Sequence, residues 1–241
     1  DGNAHPHVSF DGRVAIVHNG IIENFSPLRQ ELLDAGVTLA SETDSEVAAH
    51  LLARAYNEGE TAGDFRASAL AVLGRLEGAF TLLFTHAEHP DQIIAARRST
   101  PLIVGVGEGE MFLGSDVAAF IGYTKNAVEL DQDTVVVITK EGYEVLTFDG
   151  SPAQGRPFTI DWDLDAAEKG GFASFMMKEI HEQPAAVRDP LGGHFHDGRV
   201  FLDESDISEQ DLKSVNQVFV VACGSAYHSG LLAKYAIEHW V

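Results

Sequence analysis

Three short stretches bring together residue types that can do chemistry. In Val17-His18-Asn19-Gly20-Ile21-Ile22 an apolar run delivers a side-chain amide and a glycine N–H to one place. These are the two kinds of donor that stabilise a developing oxyanion. Asn-Gly is equally a strong hairpin signal, so a plain turn remains the competing reading. Asp44 stands at the start of an apolar-periodic segment. There it can charge a helix N-terminus or hold a ligand's ammonium group at a pocket rim. Cys223-Gly224-Ser225 follows five apolar residues and precedes a helical pattern. No G-x-S-x-G frame surrounds Ser225, and a lone Cys after such a run reads as a small buried hydrophobe. The loop reads better as a phosphate cradle, with Gly224 allowing close approach and Ser225 supplying a hydroxyl at a helix start. The 11 histidines include the pairs His5/His7 and His194/His196, but no H-E-x-x-H and no zinc-like spacing. No metal site is expected.

The elements that position these residues follow from periodicity. A strand over Val14–Val17 carries Asn19. Ser26-Pro27 reads as a helix start, with Leu28, Leu32 and Leu33 as the apolar stripe and Gly36 as the stop. Thr43 and Glu46 have the spacing of a capping box, and the helix behind them runs through Val47, Leu51, Leu52 and Ala55 to Gly59. A third helix is expected over about 65–76. Short β runs then follow at 79–84, 92–96, 102–106, 111–113, 134–139 and 143–148, separated by turn residues. Helices followed by many strands imply an α+β layered domain. Residues 149–172 are Gly-, Pro- and Asp-rich and read as a linker, and a helix is expected over 175–187. Residues 217–222 form an all-apolar run expected to be a buried parallel strand, leading through 223–225 into a helix.

Composition narrows the function classes. The 241 residues are 45% hydrophobic and 22% charged, with 16 basic against 37 acidic side chains and a net charge of −21. Such a balance neutralises no phosphate backbone, so no nucleic-acid partner is expected. No apolar run reaches the length of a membrane span. Cys223 is the only cysteine, which leaves no internal disulfide and suits a reducing, cytoplasmic setting. The chain opens without an initiator Met, and its last residues break off inside an amphipathic pattern. A fragment is expected.

Taken in order, "NAHPHVSF", "VAIVHNGIIENFSPLRQEL", "SETDSEVAAHLL", "FLGSD", "MMKEIHEQP" and "VACGSAYHSG" closely resemble the glutamine–fructose-6-phosphate amidotransferases over essentially the whole chain. The resemblance implies an N-terminal-nucleophile glutaminase domain, an αββα sandwich, over 1–150. It implies a linker with a lead-in helix over 151–208. Over 209–241 it implies the first βα unit of a doubly wound α/β sugar-isomerase (SIS) domain. In that family an N-terminal cysteine attacks the side-chain amide of L-glutamine with its own amine as base. The released ammonia converts fructose 6-phosphate to glucosamine 6-phosphate. No metal or other cofactor is used, and the enzymes are homodimers.

Residue by residue, the resemblance implies that Asn19 and Gly20 form the oxyanion hole. It implies that Asp44 binds the glutamine α-ammonium, and that Gly224 and Ser225 contact the sugar phosphate. Ala226 stands where some members carry a second hydroxyl. The nucleophile and the arginine-containing substrate loop that precede "NAHPHV" in the family are missing from this sequence. Cys223 belongs to the other domain and does not replace the nucleophile, so the chain alone is expected to be inactive. Two alternatives remain. The amidotransferase that opens purine synthesis would need a phosphoribosyl-binding region, against which "KEIHEQP" and "ACGSAYHSG" argue. The other is a catalytically dead sugar-phosphate-binding module.

Overall fold

Burial alternates from Val14 to Ile22: Val14, Ile16, His18 and Ile22 are covered, while Val17, Asn19 and Ile21 are open. A period of two over nine residues marks a strand with one packed face. The computed structural model describes residues 2–161, 170–191, 195–196, 199–200 and 208–240. The chain divides into two compact units, Asp1–Gly170 and Gly171–Val241.

In the first unit β1 (His7–Val8) pairs with β2 (Val14–Ile22). Three helices follow: α1 (Phe25–Asp34), α2 (Asp44–Glu58) and α3 (Phe65–Leu73). Then come β3 (Gly78–His86), β4 (Ile93–Arg98), β5 (Ile103–Val106), β6 (Met111–Gly114) and β7 (Asn126–Glu129). The unit closes with β8 (Thr134–Thr139), β9 (Gly142–Thr147), β10 (Pro152–Ala153) and β11 (Arg156–Thr159). Two antiparallel sheets result, ordered β1-β2-β3-β4-β8-β9-β10 and β11-β7-β5-β6.

The helices lie on one face of the larger sheet. Leu32, Val47, Leu52, Phe65 and Leu73 pack there against Ile16, Ile22, Phe80, Leu82, Phe84 and Val135. A second core joins the two sheets, with Ala95, Val136 and Ile138 facing Val104, Val128 and Leu130. Strands β4 and β8 are therefore covered on both sides, which is why they read as near-continuous apolar runs. The outer face of the smaller sheet carries Phe120, Ile121, Ala127 and Ile160 beside a 3-10 turn at Val117–Ala119. Among the described residues of this unit no helix forms the fourth layer of the expected αββα sandwich. What is described is a mixed α/β unit with one helical layer and two antiparallel sheets.

Three expectations change in this unit. The first strand does not stop at Val17 but continues through Asn19 and Gly20 to Ile22. Helix α1 begins at Phe25, so Ser26 lies inside its first turn rather than at the cap. Asn24, at the cap position, spends its amide across the chain instead: its Nδ2 donates to Arg75 O at 2.8 Å and its Oδ1 accepts from Glu77 N at 3.0 Å. Residues 152–159, within the stretch that reads as linker, supply a strand to each sheet. Pro157 in β11 marks an edge strand, where the missing N–H is tolerated.

The second unit contains α4 (Phe175–Leu191), the strand pair β12 (Phe195–His196) and β13 (Arg199–Val200), α5 (Glu209–Ser214) and α6 (Gly224–Trp240). The strand expected at 217–222 is not formed: Val218, Phe219, Val220 and Val221 are exposed and unpaired. A parallel strand exists only by bonding to neighbours, and the described residues of this unit offer it none. No described helix is long and apolar enough to cross a membrane.

Candidate functional site

The β2–β3 ladder brings Asn19 opposite Thr81, Gly20 opposite Phe80 and Ile22 opposite Gly78. Both glycines take positive φ, +134° and +120°, backbone that L side chains rarely adopt. At Gly20 an added Cβ would stand 2.1 Å from Ala79 O, and at Gly78 one would stand 2.2 Å from Ile21 O. The Asn-Gly pair is thus not a hairpin turn; it lies inside a paired strand that only glycine lets pass so closely. On the other side of β2, β1 reaches only Ala15 and Ile16. From Val17 to Ile22 the outer edge of β2 therefore has no partner strand among the described residues.

Asn19 emerges on the face that turns toward the smaller sheet. It lines a cavity of about 190 Å³ with Val17, Thr81, Leu83, Leu102 and Leu113. Its amide makes no hydrogen bond among the described residues. Behind it, the Thr81 and Thr100 hydroxyls share a hydrogen bond of 2.5 Å.

Asp44 is the first residue of α2, whose cap Thr43 accepts from Glu46 N at 3.3 Å. The capping box is only half made. The Glu46 carboxylate turns to the preceding loop, accepting from Ala40 N (2.7 Å), Ser41 N (2.7 Å) and Ser41 Oγ (2.6 Å). Its other neighbour is His50 Nε2 at 3.1 Å. Burial alone would raise the pKa of Glu46, but these bonds to Ser41, Ala40 and His50 outweigh it and hold it below the ordinary value. Asp44 Oδ2 accepts the backbone N–H of Ile22 at 2.7 Å, tying the helix start to the end of β2.

Beside Asp44, on the helical face, sits His18, only 5% exposed. Its Nδ1 is 2.8 Å from Ser45 Oγ and 3.7 Å from Asp44 Oδ1. Its Nε2 is buried with no partner. Burial lowers the His18 pKa; Asp44 acts to raise it, and His5 and His7 lower it further. His7 is also lowered by burial and by His5, against the pull of Glu46 and Asp44. The rings of His5 and His7 meet edge to face at 5.4 Å. No group of three or more His, Cys, Asp or Glu among the described residues is arranged to hold a metal, and His194 lies outside them.

The structure thus gathers Gly20, Ile22 and Asp44 at one strand end, with the Asn19 side chain on the opposite face from Asp44. Composition and motif left out His18 and Ser45, and gave Glu46 only as a helix cap. Parity was the available signal: His18 shares the covered face with Val14, Ile16 and Ile22. In the second unit Gly224 has φ +60° and opens α6, and Ser225 is exposed in its first turn. Cys223 is exposed rather than buried, because the run before it has no sheet to enter.

A family model described as a glutamine amidotransferase domain matches residues 1–122. The glutamine–fructose-6-phosphate aminotransferase (isomerizing) of Mycolicibacterium paratuberculosis is 64% identical over 244 residues, covering 100% of this chain. The protein of the same name from Corynebacterium diphtheriae is 57% identical over 241 residues, again covering 100%. The chain spans 39% and 38% of the length of these two relatives. Among solved structures, the glutamine phosphoribosylpyrophosphate amidotransferase of B. subtilis aligns with a TM-score of 0.48 at 26% identity. It covers 56% of this chain and 29% of that one.

Proposed function

This chain belongs to the glutamine amidotransferase family, and from that premise we propose that it is the glutamine-handling part of an enzyme making glucosamine 6-phosphate. The enzyme hydrolyses L-glutamine to glutamate and passes the ammonia to fructose 6-phosphate. The acceptor is argued from the name shared by relatives 57–64% identical over the whole chain. One observation carries the glutamine half: Asn19 and Gly20 are locked into a strand whose outer edge is open, two residues from the Ile22 N–H that anchors Asp44.

In this reading attack on the glutamine amide builds negative charge on its oxygen. The Asn19 Nδ2–H and the Gly20 N–H stabilise that oxyanion, and preorganised donors cost no reorganisation at the moment of reaction. The Asp44 carboxylate holds the substrate's α-ammonium group. The glutaminase part is of the N-terminal-nucleophile class, its helical layer and two antiparallel sheets lying over 1–150 and the strands that follow, with a linker then running to about residue 208. Residues 209–241 open the sugar-isomerase part, where Gly224 and Ser225 meet the sugar phosphate. The exposed apolar run Val218–Val221 becomes a strand only beside the other strands of such a sheet. The enzyme acts in the cytoplasm as a homodimer and needs no cofactor.

Glutamate release by the enzyme expressed from its complete gene tests this. Asn19→Ala should lower kcat about 10²–10³-fold, as loss of one oxyanion donor does; unchanged turnover refutes the reading. The attacking thiol is not among these residues, since the sole cysteine, Cys223, lies in the second unit. The purified 241-residue chain should therefore release no glutamate, and measurable release would refute that.

A further inference from the structure

His18 and Ser45 have no part in the reading above, yet they are among the most buried polar side chains of the first unit, each 5% exposed. They meet at the carboxylate assigned to the substrate's ammonium group. Ser45 Oγ lies 2.8 Å from His18 Nδ1 and 3.4 Å from Asp44 Oδ1. A serine hydroxyl has one proton to donate, so the direction of this chain is decided by His18. If His18 carries its proton on Nε2, a donor is buried with no partner. If the proton is on Nδ1, the orphan is only a lone pair, and an unsatisfied N–H is the rarer and costlier of the two.

Resting on the role proposed for Asp44, we propose that His18 and Ser45 are positioning residues for glutamine binding. The imidazole Nδ1–H donates to Ser45 Oγ, and the Ser45 hydroxyl donates to Asp44 Oδ1. The carboxylate is then held from both ends, by Ile22 N–H on Oδ2 at 2.7 Å and by the relay on Oδ1. Each carboxylate oxygen accepts more than one hydrogen bond, so both keep a lone pair for the ammonium. A carboxylate fixed before the substrate arrives loses no rotational freedom on binding. The relay points away from the reacting amide, so it belongs to recognition of the amino-acid end rather than to bond breaking.

The test uses the enzyme from its complete gene. Ser45→Ala should raise the KM for L-glutamine about tenfold, the worth of one hydrogen bond to a charged group, with kcat held within about twofold. Ser45→Thr keeps the hydroxyl and should restore the parent KM. The discriminating substrate is the 5-monoamide of glutaric acid, which is glutamine without its α-amino group. Its kcat/KM should be the same for Ser45→Ala and the parent. An equal loss on both substrates would make Ser45 merely structural and overturn the inference. Asp44→Asn separates the two layers: if it leaves the glutamine KM unchanged, the underlying role of Asp44 has failed. If it raises KM while Ser45→Ala does not, only the relay has failed. Should Ser45→Ala not fold, the ¹⁵N shifts of the His18 ring in the unaltered protein decide. The Nδ1–H tautomer is expected, and Nε2–H overturns the proposal.

Discussion

Gly20 is held by geometry more than by attraction. Its φ of +134° and the 2.1 Å that would separate an added Cβ from Ala79 O leave no side chain room. The obstacle is backbone in the paired strand β3, not the end of a flexible side chain, so β2 and β3 must separate to admit a methyl group. Gly20→Ala should destabilise the first unit by about 2–4 kcal/mol, read as a lower chemical-denaturation midpoint. It should also abolish glutamate release by the complete enzyme, because the N–H it carries moves with the strand. The dipeptide was legible as a donor pair from its types alone. Whether it turned or ran straight was not, because Asn-Gly serves a type I′ hairpin as readily as a tight crossing of strands. Asp44 behaved the same way. Its place at a helix start was readable, whereas its bond to Ile22 N–H, 22 residues away, was not.

At the level of elements, the loop before α2 depends on one carboxylate. Glu46 accepts two backbone N–H groups and a hydroxyl from residues 40–41 and contacts His50. Glu46→Gln puts an NH₂ where one oxygen was, so a donor faces a donor. The expected loss is about 2–4 kcal/mol in urea unfolding, since a buried group left unpaired costs more than a hydrogen bond contributes. A loss under about 0.5 kcal/mol would mean the loop is held by something else. The S/T-x-x-E spacing located the helix start correctly. It misassigned the glutamate because a side chain that can reach Thr43 N can equally reach the two N–H groups of the turn before it. Strands β3, β4, β8 and β9 were also legible from their apolar runs. Strands β1, β7, β10 and β11 were not: they are only two to four residues long, too short for a period to show, and only their sheet neighbours make them strands.

Over the whole molecule, the buried histidines set the acid limit of stability. His7, His18 and His86 all have pKa values lowered, with burial the largest cause. A group whose folded pKa lies below its unfolded one binds fewer protons when folded, so acid favours unfolding. Their stabilisation is complete above pH about 6.5. It falls below that by at most about 1.4 kcal/mol per pH unit for each histidine still neutral in the folded state. The Glu46 and Asp11 carboxylates, also lowered, withdraw their share only further down, as pH falls past the ordinary carboxylate range. Thermal melts should be flat from pH 8 to 7 and drop between 6.5 and 5; a Tm that holds or rises in that window would refute this. The net charge of −21 opposes the effect little there, because exposed carboxylates titrate at lower pH.

By itself the sequence determined the family-bearing motifs, the three helices with two of their stops, the long strands, the acidic net charge and the residue types of an oxyanion hole. All of these rest on local pattern: period, turn chemistry and composition. Tertiary structure decided that Asn19 and Gly20 lie within a strand, that Glu46 serves a loop, that residues 152–159 complete two sheets and that 217–222 stay unpaired. It also placed His18 and Ser45 against Asp44. Each of these depends on which backbone stands alongside, and the partner groups sit 5 to 60 or so residues away. A strand's edge, a buried carboxylate's donors and a histidine's neighbours are properties of pairs, and one stretch of chain contains only half of each pair.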